Sequence, residues 1–275
     1  MSLFRPVPPF TPDSRANRLA DYTVYKYRDM DRPLRWLDLR GPEEAVQQIL
    51  MAASDLCRLV PVPSERMQTY TYELEFPTGL PSEIRELAGL LTEVLSLRRN
   101  PGLDCSIALD WYKDPESSED PMQWKNTPIG ELVYRGKYYT AGTSRNQART
   151  DLVDVFANFF RRHPLYRDGD VIVTVPGHKA DGQSFGEKLA AAVAQKVDKP
   201  LVQTICTSGP RPPAKEGGSA ADATFEIPTT LHGQDVIVLD DVCRSGSSMR
   251  KAALAARQSG AARVFGLSAV RTMRS

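Results

Sequence analysis

The stretch Val236-Ile-Val-Leu-Asp-Asp-Val-Cys-Arg-Ser-Gly-Ser-Ser-Met249 constrains this chain more than any other. Four apolar residues, Val236 to Leu239, predict a short buried strand. Asp240 and Asp241 stand where that strand should end, with Val242 and Cys243 leading into a small-residue loop, Arg244 to Ser248. The loop runs into a helical pattern of Met249, Ala252, Ala253 and Ala256. Ser and Gly opening a helix form a phosphate cradle, because free backbone N–H groups converge there and the helix dipole favours an anion. Gly246 can take positive φ and has no side chain to block a phosphate. Ser245, Ser247 and Ser248 add hydroxyl donors. Paired acids would repel a phosphate held right against them, but they can accept hydrogen bonds from a sugar diol or hold a hydrated Mg²⁺. Acids for a ribose, followed by donors for its phosphate, describe a site for a ribose 5-phosphate group. The bland alternative is a buried strand with an Asp-rich turn and a capped helix.

The second half of the chain is regular. Leu132 to Tyr139 reads as a strand, and Leu152, Val155, Phe156, Phe159 and Phe160 as a helical stripe. Val171 to Val175 is a buried strand, Phe185, Leu189, Ala192 and Val193 a helix face, Leu201 to Ile205 a strand and Val264 to Val270 the last strand. Strands alternating with helices predict an α/β fold, a mostly parallel sheet with helices on both faces. Ligands bind such sheets beyond the carboxyl ends of the strands, where Asp240 and Asp241 fall. Val175-Pro-Gly-His-Lys179 directly follows one strand; Gly177 permits an unusual backbone turn and Lys179 supplies a charge for an anion.

Asp240-Asp241-x-x-x-Ser245-Gly246-x-Ser248 resembles the signature of type I phosphoribosyltransferases, usually Asp-Asp-x-x-Thr-Thr-Gly-x-Thr. Ser replaces Thr twice, which keeps the hydroxyls, and Arg244 stands where the family usually has Thr. The likeness covers about residues 130–275 and is nearest to the ComF-like phosphoribosyltransferases, although this chain lacks their zinc-binding cysteine cluster. The resemblance implies phosphoribosyl diphosphate as substrate, Mg²⁺ held at Asp240 and Asp241, and a nitrogen acceptor such as a nucleobase or related amine. It implies that Pro176, Gly177, His178 and Lys179 grip the pyrophosphate. It also implies a mobile loop at Thr207 to Asp222 whose Arg211 and Lys215 close on that pyrophosphate. On this reading Asp240, Asp241, Lys179 and Arg211 are the catalytic residues, and residues 242–248 with Lys215 bind substrate. Two other readings stand beside it: a non-catalytic sensor of phosphoribosyl diphosphate or a nucleotide, and a DNA-associated accessory protein. For the last, Arg244, Arg250, Arg257, Arg263, Arg271 and Arg274 could form a basic face.

The first 120 residues carry no recognisable chemistry. Residues 1–40 read as an extended arm containing Phe4, Phe10, Tyr22, Tyr25, Tyr27 and Trp36. Pro42 opens a helix whose stripe runs from Val46 to Val60, and Tyr70 to Phe76 alternates like a strand. Ser82 is expected to cap a second helix with Ile84, Leu87, Leu91, Val94 and Leu95, and Cys105 to Tyr112 reads as a strand. Asp114 to Pro121 is the best linker, which divides the chain into an N-terminal α+β region, 1–120, and a phosphoribosyltransferase-like domain, 125–275. A net charge of +1 exerts no global pull toward nucleic acid or membrane, and no apolar run reaches bilayer length. A cytoplasmic protein is expected, and a homodimer is left open. The four cysteines, Cys57, Cys105, Cys206 and Cys243, form no Cys-x-x-Cys pair, so a zinc ribbon is not expected. Cys243 is expected to be an accessible loop thiol.

Overall fold

The structure is a computed structural model and describes residues 16–26, 33–211 and 223–273. Phe4, Phe10, Tyr27, Lys215 and Arg274, and most of the loop expected at 207–222, lie outside the described residues. In chain order the elements are β1 (Ala16–Asn17), β2 (Asp21–Tyr25), β3 (Arg35–Arg40), α1 (Glu43–Ala53), β4 (Arg58–Val60), β5 (Tyr72–Phe76) and α2 (Ser82–Glu93). Then come β6 (Leu95–Leu97), β7 (Cys105–Trp111), α3 (Pro128–Tyr138), α4 (Thr143–Arg162), α5 (Pro164–Asp168), β8 (Val171–Thr174) and α6 (Phe185–Lys196). The chain finishes with β9 (Leu201–Val202), β10 (Ile205–Cys206), β11 (Phe225–Glu226), β12 (Asp235–Cys243), α7 (Ser247–Gln258) and β13 (Arg263–Arg271).

The main sheet has seven strands in the order β1-β6-β7-β13-β12-β8-β9. Its five strands from β7 to β9 run parallel, and β6 and β1 add an antiparallel edge. Both faces are apolar, as a sheet covered on two sides requires. Along β12, Val236 and Val238 face Met249, Ala252 and Ala256 of α7, while Ile237 and Leu239 face the cluster that holds Phe156 and Phe160 of α4 and Leu189 and Val193 of α6. A second sheet, β2-β3-β5-β4, is antiparallel. Its Leu37, Leu39, Leu74 and Phe76 join Val46 and Ile49 of α1 and Ile84, Leu87 and Leu91 of α2 in the same buried cluster that reaches Ile107 and Leu267 of the main sheet. Strands from both sides of residue 120 therefore share one sheet and one core: β7 pairs with β13 from Cys105↔Phe265 to Trp111↔Arg271. Among the described residues no helix is long and apolar enough to cross a membrane.

Five sequence expectations change. The expected strand Leu132 to Tyr139 is instead the end of helix α3, which runs to Tyr138 with Tyr139 as its C-cap. The Thr127 side chain accepts from the Gly130 N–H and Pro128 fills the first turn, so the helix start overrides the run of aromatics, and Tyr134, Tyr138 and Tyr139 are exposed. Ser82 is the first helical residue of α2 and caps nothing; Pro81 precedes it as N-cap without a side-chain bond. The stripe expected to reach Val60 breaks at Ser54, whose φ is 47°, and Leu95 opens β6 instead of continuing α2. Leu201 to Ile205 splits, with β9 ending the main sheet and β10 pairing with β11 in a small ribbon.

Candidate functional site

The acids are placed by a mismatch between two ladders. On one side β12 pairs with β13 as far as Cys243↔Arg271, but on the other its ladder with β8 stops at Leu239↔Thr174. Asp240 and Asp241 thus lie within β12, not after its end, yet they project beyond the end of β8. The chain leaves β8 toward β9 and returns on the other side as β12. A crevice opens at such a reversal of strand order, and this is where α/β sheets bind ligands. Asp241 is 7% exposed and Asp240 is half-buried.

Helix α6 closes one wall of the crevice. A Cβ built on Gly186 would sit 3.0 Å from Asp240 Oδ1 and 3.2 Å from Asp241 Oδ1, so only glycine lets the first turn of α6 approach this closely. That turn brings the positive end of the helix dipole to the carboxylates. Ser184 and Glu187 fix it with a reciprocal capping box. From the other side Lys137 of α3 donates to Asp241 Oδ2 at 2.6 Å, with a third of its side chain exposed. Burial pushes Asp240 well above the usual carboxylate range, and the negative charge of Asp241 pushes it further. Burial alone would lower Lys137, but the charge and hydrogen bond of Asp241 outweigh it, so the ammonium is held. Tyr112, at the end of β7, is pushed up to about 12 by burial and senses the same charges. The acids thus sit beside a fixed cation, with Asp241 Oδ2 engaged by Lys137, and offer carboxylate oxygens to a diol.

Beyond the acids, Gly246 has φ 78° and ψ 0° and starts α7 with no side-chain cap. This is the left-handed conformation that glycine favours. The Ser247 N–H reaches Ser245 Oγ at 3.3 Å, and Arg244 and Ser245 are exposed. Asn100 lies against the loop, its Nδ2 3.0 Å from where a Gly246 Cβ would stand. Cys243 is not an accessible loop thiol: it is 4% exposed, lies inside β12, and its Sγ accepts from Arg271 Nη1 at 3.4 Å. Val242 packs on the main core.

The loop Pro176 to Lys179 leaves β8 on the opposite side of the switch point. Gly177 is required for space and not for an unusual φ: its Cβ would meet Ser184 Cβ at 2.4 Å, while positive φ falls at Ala180 and Gly182. Pro176 is buried, and His178 and Lys179 are exposed. Arg211, expected to point at a ligand, is bound to the protein. Its Nη2 donates to the Pro176 carbonyl at 2.7 Å and its backbone N–H to the His178 carbonyl at 2.8 Å. The fold thus joins the acid pair and the 176–179 loop at the first turn of α6. Sequence reasoning missed Lys137, Gly186, Asn100 and Tyr112. Only Gly186 had a local signal, inside the capping-box pattern Ser184-x-x-Glu187.

No protein-family model and no curated protein matches the chain. Among solved structures it is similar to a purine phosphoribosyltransferase from Pyrococcus horikoshii Ot3, at 17% identity over 47% of this chain and 83% of that one, with a TM-score of 0.31. It is also similar to the adenine phosphoribosyltransferase of Leishmania tarentolae, at 12% identity over 63% of this chain and 94% of that one, TM-score 0.35. A hypoxanthine phosphoribosyltransferase from Staphylococcus aureus gives 10% identity over 44% and 62%, TM-score 0.30. Similarity at this level assigns no activity.

Proposed function

We propose that this chain is a phosphoribosyltransferase that transfers phosphoribose from phosphoribosyl diphosphate to a nitrogen acceptor, a nucleobase or related amine, and releases pyrophosphate. One observation carries the reading: at the switch point of the sheet, β12 delivers an acid pair, Asp240 half-buried and Asp241 buried, shortly before the glycine-started N-terminus of α7. Asp240 and Asp241 bind the ribose hydroxyls, and the N–H groups and hydroxyls of residues 245–248 bind the 5-phosphate. Among the described residues no group of three or more His, Cys, Asp or Glu side chains could hold a metal ion. The acid pair alone fits Mg²⁺, which is held by one or two carboxylates together with substrate phosphates. When bound, Mg²⁺ neutralises charge on the diphosphate. As the anomeric C–O bond breaks, pyrophosphate leaves with the electron pair and positive charge builds on the ribose ring. Lys179 meets the departing anion, and the acids stand near the developing cation. The acceptor nitrogen closes the new bond and gives up its proton, which the released pyrophosphate or solvent takes up.

The engagement of Arg211 within the protein favours a second reading, a non-catalytic binder of phosphoribosyl diphosphate or a nucleotide, since that cation is not free to meet a leaving group. One experiment separates the two. The protein is incubated with phosphoribosyl diphosphate, Mg²⁺ and a panel of bases and amines, and pyrophosphate is measured beside binding by calorimetry. Release with any acceptor, abolished in Asp240→Asn, supports the transferase. Tight binding without release supports the sensor, and no binding removes both.

A further inference from the structure

We propose that Arg211 is a positioning residue that turns the 176–179 loop into an anion site, without touching the anion. The inference rests on the phosphoribosyl reading of the site. Three successive carbonyls of the loop reach this one residue, the middle one, Gly177 O, being shared with the Ala180 N–H at 3.2 Å. Pro176 O accepts from Nη2 at 2.7 Å, Gly177 O from Nη1 at 3.3 Å, and His178 O from the Arg211 backbone N–H at 2.8 Å. In a trans peptide unit the C=O and the following N–H point in opposite directions. No peptide bond of the described chain is cis. The N–H groups of Gly177, His178 and Lys179 therefore face away from Arg211, and among the described residues none of them has an acceptor. Successive N–H groups turned to one side form an anion-binding concavity.

The guanidinium itself is held on two sides. It lies 5.3 Å from the centre of the Phe225 ring, and Nη1 also reaches the buried Cys206 Sγ at 3.7 Å. The far side of the loop is fixed independently, because Gly177 packs against Ser184 and Glu187 of the α6 capping box. The loop is clamped between a helix start and a planar fork of donors. Such a fork reaches two carbonyls at once, which a lysine ammonium on a flexible stem does not reproduce.

The test uses the full chain with inorganic pyrophosphate plus Mg²⁺ and, separately, ribose 5-phosphate, on wild type, R211A and R211K, with unfolding curves to establish that each variant folds. Both variants should lose pyrophosphate affinity on the order of tenfold or more. Ribose 5-phosphate binding should be unchanged, because its ligands lie on β12 and α7. In ligand-free R211A the amide resonances of Gly177, His178 and Lys179 should shift, and added ethylguanidinium should restore part of the pyrophosphate binding. A folded R211K that binds pyrophosphate like wild type would show that charge alone is used and would overturn the proposal. So would R211A with unmoved amide resonances, and in both cases the phosphoribosyl reading stands. Wild-type protein that binds neither ligand overturns the phosphoribosyl reading, and the proposal with it.

Discussion

Replacing Glu73 with glutamine should change how stability depends on pH, because Glu73 shares a buried site with a second acid. Asp38 of β3 and Glu73 of β5 are directly opposite in register, at 0% and 3% exposure. A single cation serves both: Arg66 Nη1 donates to Asp38 at 2.9 Å and Nη2 to Glu73 at 2.5 Å, with the guanidinium 4.3 Å from the centre of the Tyr25 ring. Asp38 Oδ1 has no donor among the described residues. Two buried carboxylates with one guanidinium leave an excess negative charge, and the site relieves it by keeping a proton. Burial, followed by the hydrogen bond with Asp38, pushes Glu73 from 4.5 to about 7. A carboxyl whose folded pKa lies above its unfolded one binds its proton more tightly when folded. Its contribution is therefore favourable at low pH, is lost as pH rises from about 4.5 to about 7, and is level above that. At about 1.4 kcal/mol per unit, the loss is on the order of 3 kcal/mol. His163, buried and lowered to about 3 by desolvation, works in the opposite sense between about 3 and 6.5. The clean measure is accordingly the difference between wild type and E73Q, obtained by urea unfolding at steps from pH 4.5 to 8. The glutamine side chain cannot ionise and can donate its amide to Asp38, so E73Q should gain on wild type as pH rises and exceed it at pH 8. A difference curve that is flat across this range would refute a shared proton.

K137M should raise the titration midpoint of Asp240 still further, since Lys137 lowers it against the larger effects of burial and the Asp241 charge; its side-chain carboxyl carbon shift would show it, and an unmoved midpoint would mean that the amine does not stabilise the charge. Y166F removes the hydroxyl that donates to the Gly266 carbonyl at 2.7 Å in a fully buried setting, and should cost about 1–3 kcal/mol in urea unfolding without altering ligand binding. If residues 1–120 and 125–275 are separate units, as the linker composition proposes, a fragment from residue 125 should fold. The pairing of β7 with β13 predicts instead that the fragment exposes an unpaired strand and aggregates, and a sharp amide spectrum from a soluble fragment would decide for separate units.

What the sequence made legible follows from how far each interaction reaches along the chain. The parallel strands and their covering helices could be read because apolar runs and helical stripes are local, and the acid pair and Gly246 could be read because strand, acids, loop and helix are contiguous. Strand β3 was hidden even though Leu37 and Leu39 alternate with Trp36 and Asp38, because a carboxylate at 0% exposure looks like surface until its partners Arg66 and Glu73 are known. Helix α3 reads as a strand because its aromatic residues suit one, whereas the Thr127 cap and Pro128 that decide the matter precede the run. Lys137 could not have been placed at all: it lies 104 residues from Asp241, and only the packing of α3 beside the main sheet brings the two together. Arg211 is the sharpest case. A cation in a polar Gly- and Pro-rich segment reads as a group reaching for a ligand, but its direction depends on whether free carbonyls lie within reach. Here the tight turn after β8 leaves the Pro176 and His178 carbonyls within reach, with the Gly177 carbonyl shared between Ala180 N–H and the guanidinium, and they use the guanidinium and the backbone N–H before any anion can. The same residue type at the same position therefore serves the site by shaping the backbone behind it, a role that can be inferred only once the orientation of each peptide unit is known.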